Sequence, residues 1–181
     1  LFFNLGGVAH ERGVKQVTYK LWNDFGAGYK SRFFVVNFET MVPEILQKTE
    51  KKYWGVILKR LMMRAGNMVA QKHLGLITGE SLAQVSSQTL ENLAVINDSS
   101  VLPIYRPLFG LEKREIIQRA EDIGVARYAE AMPEYCAVIS DRPTTCAKLE
   151  IVKEEEEKMD EDTFLQTLEA CQCSKVGDED F

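Results

Sequence analysis

The chain has 181 residues, of which 45% are hydrophobic and 27% are charged, a composition typical of a globular protein. This length predicts one α/β domain and little more. No stretch approaches the about 20 apolar residues that a membrane-spanning helix needs, and no secretory signal opens the chain. We therefore expect a cytoplasmic protein with no membrane partner.

The net charge of −5 is unevenly distributed along the chain. Residues 1–149 contain 19 Lys and Arg against 15 Asp and Glu, a net charge of +4, whereas residues 150–181 contain 3 against 12, a net charge of −9. A mildly basic body permits a nucleic-acid partner but does not require one. The acidic run from Glu154 to Glu157 is typical of a solvated helix face or a flexible tail.

Four cysteines, Cys136, Cys146, Cys171 and Cys173, all lie in the last quarter of the chain. This spacing is not that of the disulfide framework of a small secreted domain. Cys171 and Cys173 are separated by one residue, which is not the usual zinc spacing, and no histidine lies near them. We therefore predict no metal site.

The first half of the chain alternates short apolar runs with amphipathic segments. The pattern predicts strands at about residues 1–5 and 33–38, the second being the clearest because it is bulky and β-branched. It predicts helices over residues 10–25, 42–48 and 54–74. Glycines at positions 26 and 28 end the first of these helices.

The second half continues the alternation. Strands are predicted at about residues 75–79 and 101–105, and helices over residues 87–96, 113–124 and 147–170, the last with a break near Asp160. Alternating strands and helices favour an α/β fold, with a parallel sheet that carries helices on both faces. Residues 177–181 are expected to fray.

The predicted helix over residues 54–74 carries a candidate binding residue. Apolar positions, among them Leu58 and Leu61, fall on one face, and Arg60 and Arg64 lie opposite that face. Lys59 lies at the border, where a lysine can rest its stem on the core and direct its ammonium into a cleft. A surface lysine with no binding role fits the same pattern.

The stretch from Leu76 to Gln88 is the centre of the predicted architecture. A short apolar run breaks at Gly79, and ligands of α/β sheets bind beyond the carboxyl ends of the strands. At that edge of the sheet Gly79 would let a ligand approach the backbone, and the Gln88 amide could hydrogen-bond to the polar edge of that ligand. A simple strand-to-helix turn, with Ser86 or Ser87 as the N-cap, fits equally.

Cys136 is the candidate nucleophile, because it lies in a proline-rich loop. Its neighbours supply no positive charge that would lower the thiol pKa, so an inert buried cysteine fits as well. His10 and His73 are far apart in the sequence, and a surface or capping role suits both.

Several separated motifs together resemble the tRNA 4-thiouridine synthetase (tRNA sulfurtransferase) family. The central one is Thr-Gly-Glu-Ser-Leu-Ala-Gln-Val-Ser-Ser-Gln-Thr-Leu-Glu-Asn-Leu, starting at Thr78. Others are Phe-Phe-Asn-Leu-Gly-Gly at residues 2–7, Arg-Pro-Leu at 106–108 and Met-Pro-Glu-Tyr-Cys at 132–136. The resemblance covers about residues 1–160, and residues 161–181 are expected to be a C-terminal helix, tail or linker.

The resemblance implies a PP-loop ATP pyrophosphatase domain with a Rossmann-like fold of the adenine nucleotide alpha hydrolase type. It implies that ATP, with Mg²⁺, adenylates the C4 oxygen of the uridine at position eight of tRNA. Persulfide sulfur from a cysteine desulfurase or another donor, carried by a rhodanese-like domain, then displaces AMP. Family members can also supply sulfur for the thiazole of thiamine.

Matching the motifs residue by residue assigns roles to four positions. Lys59, Gly79 and Gln88 fall on the family's nucleotide-binding positions. Cys136 falls on the cysteine that forms a disulfide with the persulfide-bearing cysteine.

One family motif, the phosphate loop Ser-Gly-Gly-x-Asp-Ser, is not found in residues 1–181. We expect it upstream of Leu1 together with the first strand, so that this chain is a fragment, inactive alone, with an exposed sheet edge that favours homodimers. Two alternatives are another PP-loop ligase, which the Met-Pro-Glu-Tyr-Cys segment disfavours, and a non-catalytic nucleotide- or RNA-binding domain of PP-loop descent.

Overall fold

A computed structural model describes residues 1–132, 142–178 and 181 of the chain. The described residues form two compact units. Among the described residues, the first unit is drawn from residues 1–41, 114–132, 162–178 and 181, and the second from residues 42–113 and 142–161. None of the helices in the described ranges has the length and apolar composition that crossing a bilayer requires.

Helices and short strands alternate through much of the described chain, in which four consecutive helices precede the last strand. In order they are β1 (Phe2–Asn4), α1 (Gly7–Phe25), β2 (Arg32–Asn37), α2 (Met41–Lys48), α3 (Trp54–Val69), β3 (Leu76–Ile77), α4 (Leu90–Asp98), β4 (Ile104–Tyr105), α5 (Lys113–Asp122), α6 (Ala126–Glu130), α7 (Leu149–Glu156), α8 (Glu161–Glu169) and β5 (Gln172–Lys175).

The first unit contains a three-stranded sheet in the order β1-β2-β5. β1 and β2 are parallel, with Phe2 opposite Val35, and β5 is antiparallel to β2, with Phe33 opposite Ser174. Phe2, Phe33, Val35 and Val176 form a buried apolar cluster. The parallel pair explains why β1 and β2 are apolar, since parallel strands are usually buried on both faces.

The second unit contains the parallel pair β3 and β4, with Leu76 opposite Ile104. Helix α3 packs against α4 and α7. Side chains that are fully or almost fully buried form its apolar core, among them Ile57, Leu61, Ile96 and Val152. This core positions the first turns of α3 and the segment that follows β3.

The structure confirms the predicted α/β class and corrects several boundaries. α1 begins at Gly7, three residues before the predicted start, and β3 and β4 are each only two residues long. α4 begins after Thr89, whose hydroxyl accepts a hydrogen bond from the Asn92 N–H. Thr89, and neither Ser86 nor Ser87, is therefore the N-cap of that helix.

Strand β5 was not predicted. Its residues, Gln-Cys-Ser-Lys, lack the apolar alternation that marks a strand, and most of them are exposed. Hydrogen bonding to β2, about 140 residues earlier in the chain, decides its conformation. Cys171 and Cys173 therefore lie at and within an edge strand.

Arg60 was predicted to lie opposite the apolar face of its helix, but the structure buries it. Only 3% of Arg60 is exposed, and its guanidinium donates two hydrogen bonds to the Glu156 carboxylate, at 2.8 and 3.0 Å. It also pairs with Asp98 at 3.3 Å. An arginine can replace an apolar residue on a buried face when carboxylates compensate its charge.

Candidate functional site

Lys59 lies in the second turn of α3. Its neighbours Ile57 and Leu58 are buried, whereas 32% of the Lys59 side chain is exposed. Its ammonium lies 3.4 Å from Oε1 of Glu80. The ammonium of this border lysine therefore reaches the segment after β3, and its nucleotide-binding role stays a prediction.

Glu80 is a buried carboxylate that pairs with two cations. Only 3% of the residue is exposed. Its Oε2 accepts hydrogen bonds from Arg106 Nε at 2.8 Å and from the Thr78 hydroxyl at 3.1 Å, while Oε1 faces Lys59. Burial raises the pKa of Glu80, but the charge of Lys59 and the hydrogen bond from Arg106 lower that pKa to a net value below its usual range.

Backbone hydrogen bonds hold the segment after β3 against the segment after β4. The Thr78 N–H donates to the Tyr105 carbonyl at 3.0 Å, and the Leu82 N–H donates to the Phe109 carbonyl at 3.1 Å. The buried Ser81 hydroxyl donates to the Leu111 carbonyl at 2.9 Å. Glu80 therefore sits on a loop whose backbone is fixed on both sides.

Gly79 precedes Glu80 and borders open space. A Cβ placed on Gly79 would meet no heavy atom of the described chain within 4 Å, and the backbone does not adopt a positive φ there. Neither packing nor backbone conformation therefore requires a glycine at position 79. The close approach of a ligand to the backbone would require one.

Gln88 ends a short 3₁₀ turn, Ser86–Gln88, that contacts both α3 and α4. Its side-chain Oε1 is buried and has no hydrogen-bond partner among the described residues. A buried acceptor without a donor is costly. The amide therefore fits a ligand that brings an N–H group to this position.

The structure brings Lys59 beside Glu80, the residue that follows Gly79 in the chain, and it places Gln88 on a turn that contacts the same helix. Cys136 lies in residues 133–141, outside the described residues. Within the described ranges, no group of three or more His, Cys, Asp or Glu side chains could hold a metal ion. His73 is exposed in the turn after α3.

Glu80 and Arg106 received no role from the sequence, although both belong to quoted motifs. Their positions in the sequence could nevertheless have predicted that they pair. Each follows one of two neighbouring strands, and the carboxyl ends of parallel strands meet at the same edge of a sheet. A carboxylate after β3 and an arginine after β4 are thus well placed to pair.

Comparisons with known proteins agree with this architecture. A family described as "Thiamine biosynthesis protein (ThiI)" matches residues 1–160. The chain is 52% identical over 162 residues to a tRNA sulfurtransferase of Psychromonas ingrahamii, covering 88% of this chain and 33% of the relative. It is 51% identical over 161 residues to the tRNA sulfurtransferase of an Escherichia coli strain, again covering 88% and 33%.

A solved structure described as a 4-thiouridine synthetase–RNA complex with bound ATP has a similar fold. The TM-score is 0.86 at 23% sequence identity, over 96% of this chain and 47% of that chain. At this identity the likeness confirms the Rossmann-like α/β fold alone. The chain spans about a third of the length of the curated relatives it matches.

Proposed function

The chain belongs to the thiamine biosynthesis protein (ThiI) family, and from this premise we propose that it forms part of an ATP-dependent tRNA sulfurtransferase. The reaction we propose converts the uridine at position eight of tRNA into 4-thiouridine. Supply of sulfur for the thiazole of thiamine is a further part of the proposal, in line with the description of the family.

The observation that carries the proposal is that Lys59 contacts Glu80 in the segment between β3 and α4, the segment that also contains Gly79 and Gln88. A partly exposed ammonium suits the phosphates of ATP. The open space at Gly79 suits close approach of a flat ligand. The unpartnered Gln88 oxygen suits the exocyclic amino group of adenine, which is an N–H donor.

ATP would arrive with Mg²⁺, which screens the phosphates and helps pyrophosphate to leave. In the proposed first stage the C4 oxygen of the uridine attacks the α-phosphate of ATP, and pyrophosphate departs. In the second stage the terminal sulfur of a protein persulfide forms a bond to C4, and AMP takes the former C4 oxygen away.

The role proposed for Cys136 is to release the sulfur. Its thiolate attacks the inner sulfur of the persulfide-bearing cysteine, the S–S bond to the nucleotide breaks, and a Cys–Cys disulfide forms as 4-thiouridine leaves. A thiol reductant must then reduce that disulfide before the next turnover. The family motif at residues 132–136 supports this role.

The proposed partners are tRNA, a cysteine desulfurase or another persulfide donor, and a rhodanese-like domain in the same chain or in trans. We also propose a cytoplasmic setting and a homodimer. Apolar side chains around the β3–β4 pair are more than half exposed, including Leu74, Ile77, Val101 and Tyr105, and such a surface favours association.

The decisive experiment uses the full-length gene product with ATP, a persulfide donor and unmodified tRNA. The 4-thiouridine formed is followed by its near-ultraviolet absorbance in wild type, in Cys136→Ser and in Cys146→Ser. Cys146 is exposed and free, so its variant is the matched control. We expect wild type and Cys146→Ser to make thiouridine over repeated turnovers and Cys136→Ser to fail.

Equal activity of all three proteins would keep the sulfurtransferase proposal and remove the role of Cys136. No thiouridine from any of them would favour the alternative, a non-catalytic nucleotide- or RNA-binding domain of PP-loop descent.

A further inference from the structure

Glu80 divides its two carboxylate oxygens between two different tasks. Oε2 accepts directed hydrogen bonds from Arg106 and Thr78. Oε1 is buried, accepts no hydrogen bond from the described residues, and lies within ion-pair distance of the Lys59 ammonium. The contact with Lys59 is therefore electrostatic, and the N–H groups of the ammonium remain available to a ligand.

The Arg106 side of this arrangement is rigid. The Arg106 side chain is almost buried, and its guanidinium also donates to the Asn97 side-chain oxygen on α4 at 2.8 Å. The Arg106 carbonyl accepts a hydrogen bond from the Phe109 N–H at 3.1 Å. Glu80 is thus held by a fixed partner, whereas Lys59 is partly exposed and has a flexible stem.

We propose that Glu80 is a positioning residue, which uses the fixed Arg106 to hold the Lys59 ammonium where it meets the phosphates of the nucleotide. The proposal rests on the proposed function, because it assigns the ligand of Lys59 to ATP. Lys59, Glu80 and Arg106 together carry a net charge of +1, so the cluster still attracts an anion.

The proposal and simple electrostatics predict opposite changes in ATP affinity when Glu80 is neutralised. Removing a negative charge near a phosphate site should strengthen the binding of an anion. If Glu80 holds Lys59 in place, its neutralisation instead weakens the binding of ATP, because the lysine must then be ordered at the expense of its side-chain entropy.

A double-mutant cycle in the full-length gene product tests this. The dissociation constant of ATP is measured by calorimetry for wild type, Glu80→Gln, Lys59→Met and the double variant. We expect Glu80→Gln to weaken ATP binding roughly fivefold or more, as coupled contacting residues do, and to have no further effect in the Lys59→Met background.

Glu155→Gln is the matched control. Glu155 is a buried carboxylate of the same unit that pairs with Lys158 and accepts a hydrogen bond from the Glu50 N–H, so its variant should bind ATP as wild type does. Glu80→Asp serves if Glu80→Gln does not fold. It keeps the charge but withdraws it by one methylene, and we expect weaker ATP binding by a protein that is still folded at the temperature of the measurement.

Three outcomes overturn the inference alone: ATP binding by Glu80→Gln as tight as or tighter than wild type, the same fold loss in both Lys59 backgrounds, or unchanged binding by Glu80→Asp. If wild type binds no ATP, the proposed function fails, and the inference fails with it.

Discussion

Some charged side chains of this protein are buried, although charged residues of proteins are usually exposed to solvent. Glu80 and Arg60 are both almost completely buried, and each is compensated by two charges of opposite sign. A buried charge whose partner is removed leaves an uncompensated ion, which is far more costly than the loss of a surface pair. Substitutions at such residues therefore affect stability as well as any ligand.

The pH dependence of stability should report the ion pairs of Glu80. Its pKa in the folded protein is lowered from 4.5, so the carboxylate stabilises the folded state above that pH, and the contribution is lost as the pH falls through the folded pKa. We expect Glu80→Gln to lower the free energy of unfolding by about 1–3 kcal/mol at neutral pH. The difference from wild type should shrink below pH 4.5.

Urea unfolding from about pH 7 to about pH 3.5 measures this difference. The exposed Glu154→Gln variant, within α7, is the control and should follow wild type throughout. A Glu80→Gln deficit that stays constant down to the lowest pH would show that the ion pairs of Glu80 do not contribute.

At the scale of the elements, α4 is held in place by one fully buried amide. The Asn92 Nδ2 donates to the carbonyls of Ser86 and Thr144, at 2.7 and 2.8 Å, and its Oδ1 accepts from the Ala147 N–H at 2.8 Å. One side chain thus joins the helix to the turn that carries Gln88 and to the segment before α7. No periodic pattern predicts such a junction.

Asn92→Ala should therefore destabilise the protein. Two carbonyls and one N–H lose their partner, at a cost of about 3 kcal/mol in the free energy of unfolding. Thermal unfolding of the full-length gene product measures the change, with the exposed helical variant Gln118→Ala as the control. An unfolding temperature equal to that of wild type would mean that water replaces all three hydrogen bonds.

At the scale of the whole molecule, the length of the chain matters most for the proposed chemistry. The chain spans about a third of its curated relatives, and residues 1–181 contain no Ser-Gly-Gly-x-Asp-Ser loop. A loop of that kind binds phosphates through its backbone N–H groups. The candidate site supplies a cation, an open approach to the backbone and an amide, from Lys59, Gly79 and Gln88. These groups do not replace the backbone N–H groups of such a loop.

We accordingly expect residues 1–181 to bind ATP weakly, because no phosphate loop of this kind lies among them. Calorimetry with ATP on residues 1–181 measures the affinity. Micromolar affinity of residues 1–181 would contradict the expectation and would show that the described site suffices for the nucleotide.

The sequence by itself determined the family motifs, the alternation of strands and helices, and three candidate positions on one loop and its neighbouring helix. These features depend on residues close together in the chain, where hydrophobic period and turn chemistry act. The tertiary structure decided the rest. Arg60 pairs with Glu156, which lies 96 residues later in the chain, and Glu80 pairs with Arg106, 26 residues later. β5 forms a strand because it pairs with β2. Local patterns carry no information on such partners, because burial of a charge depends on which distant residue compensates it.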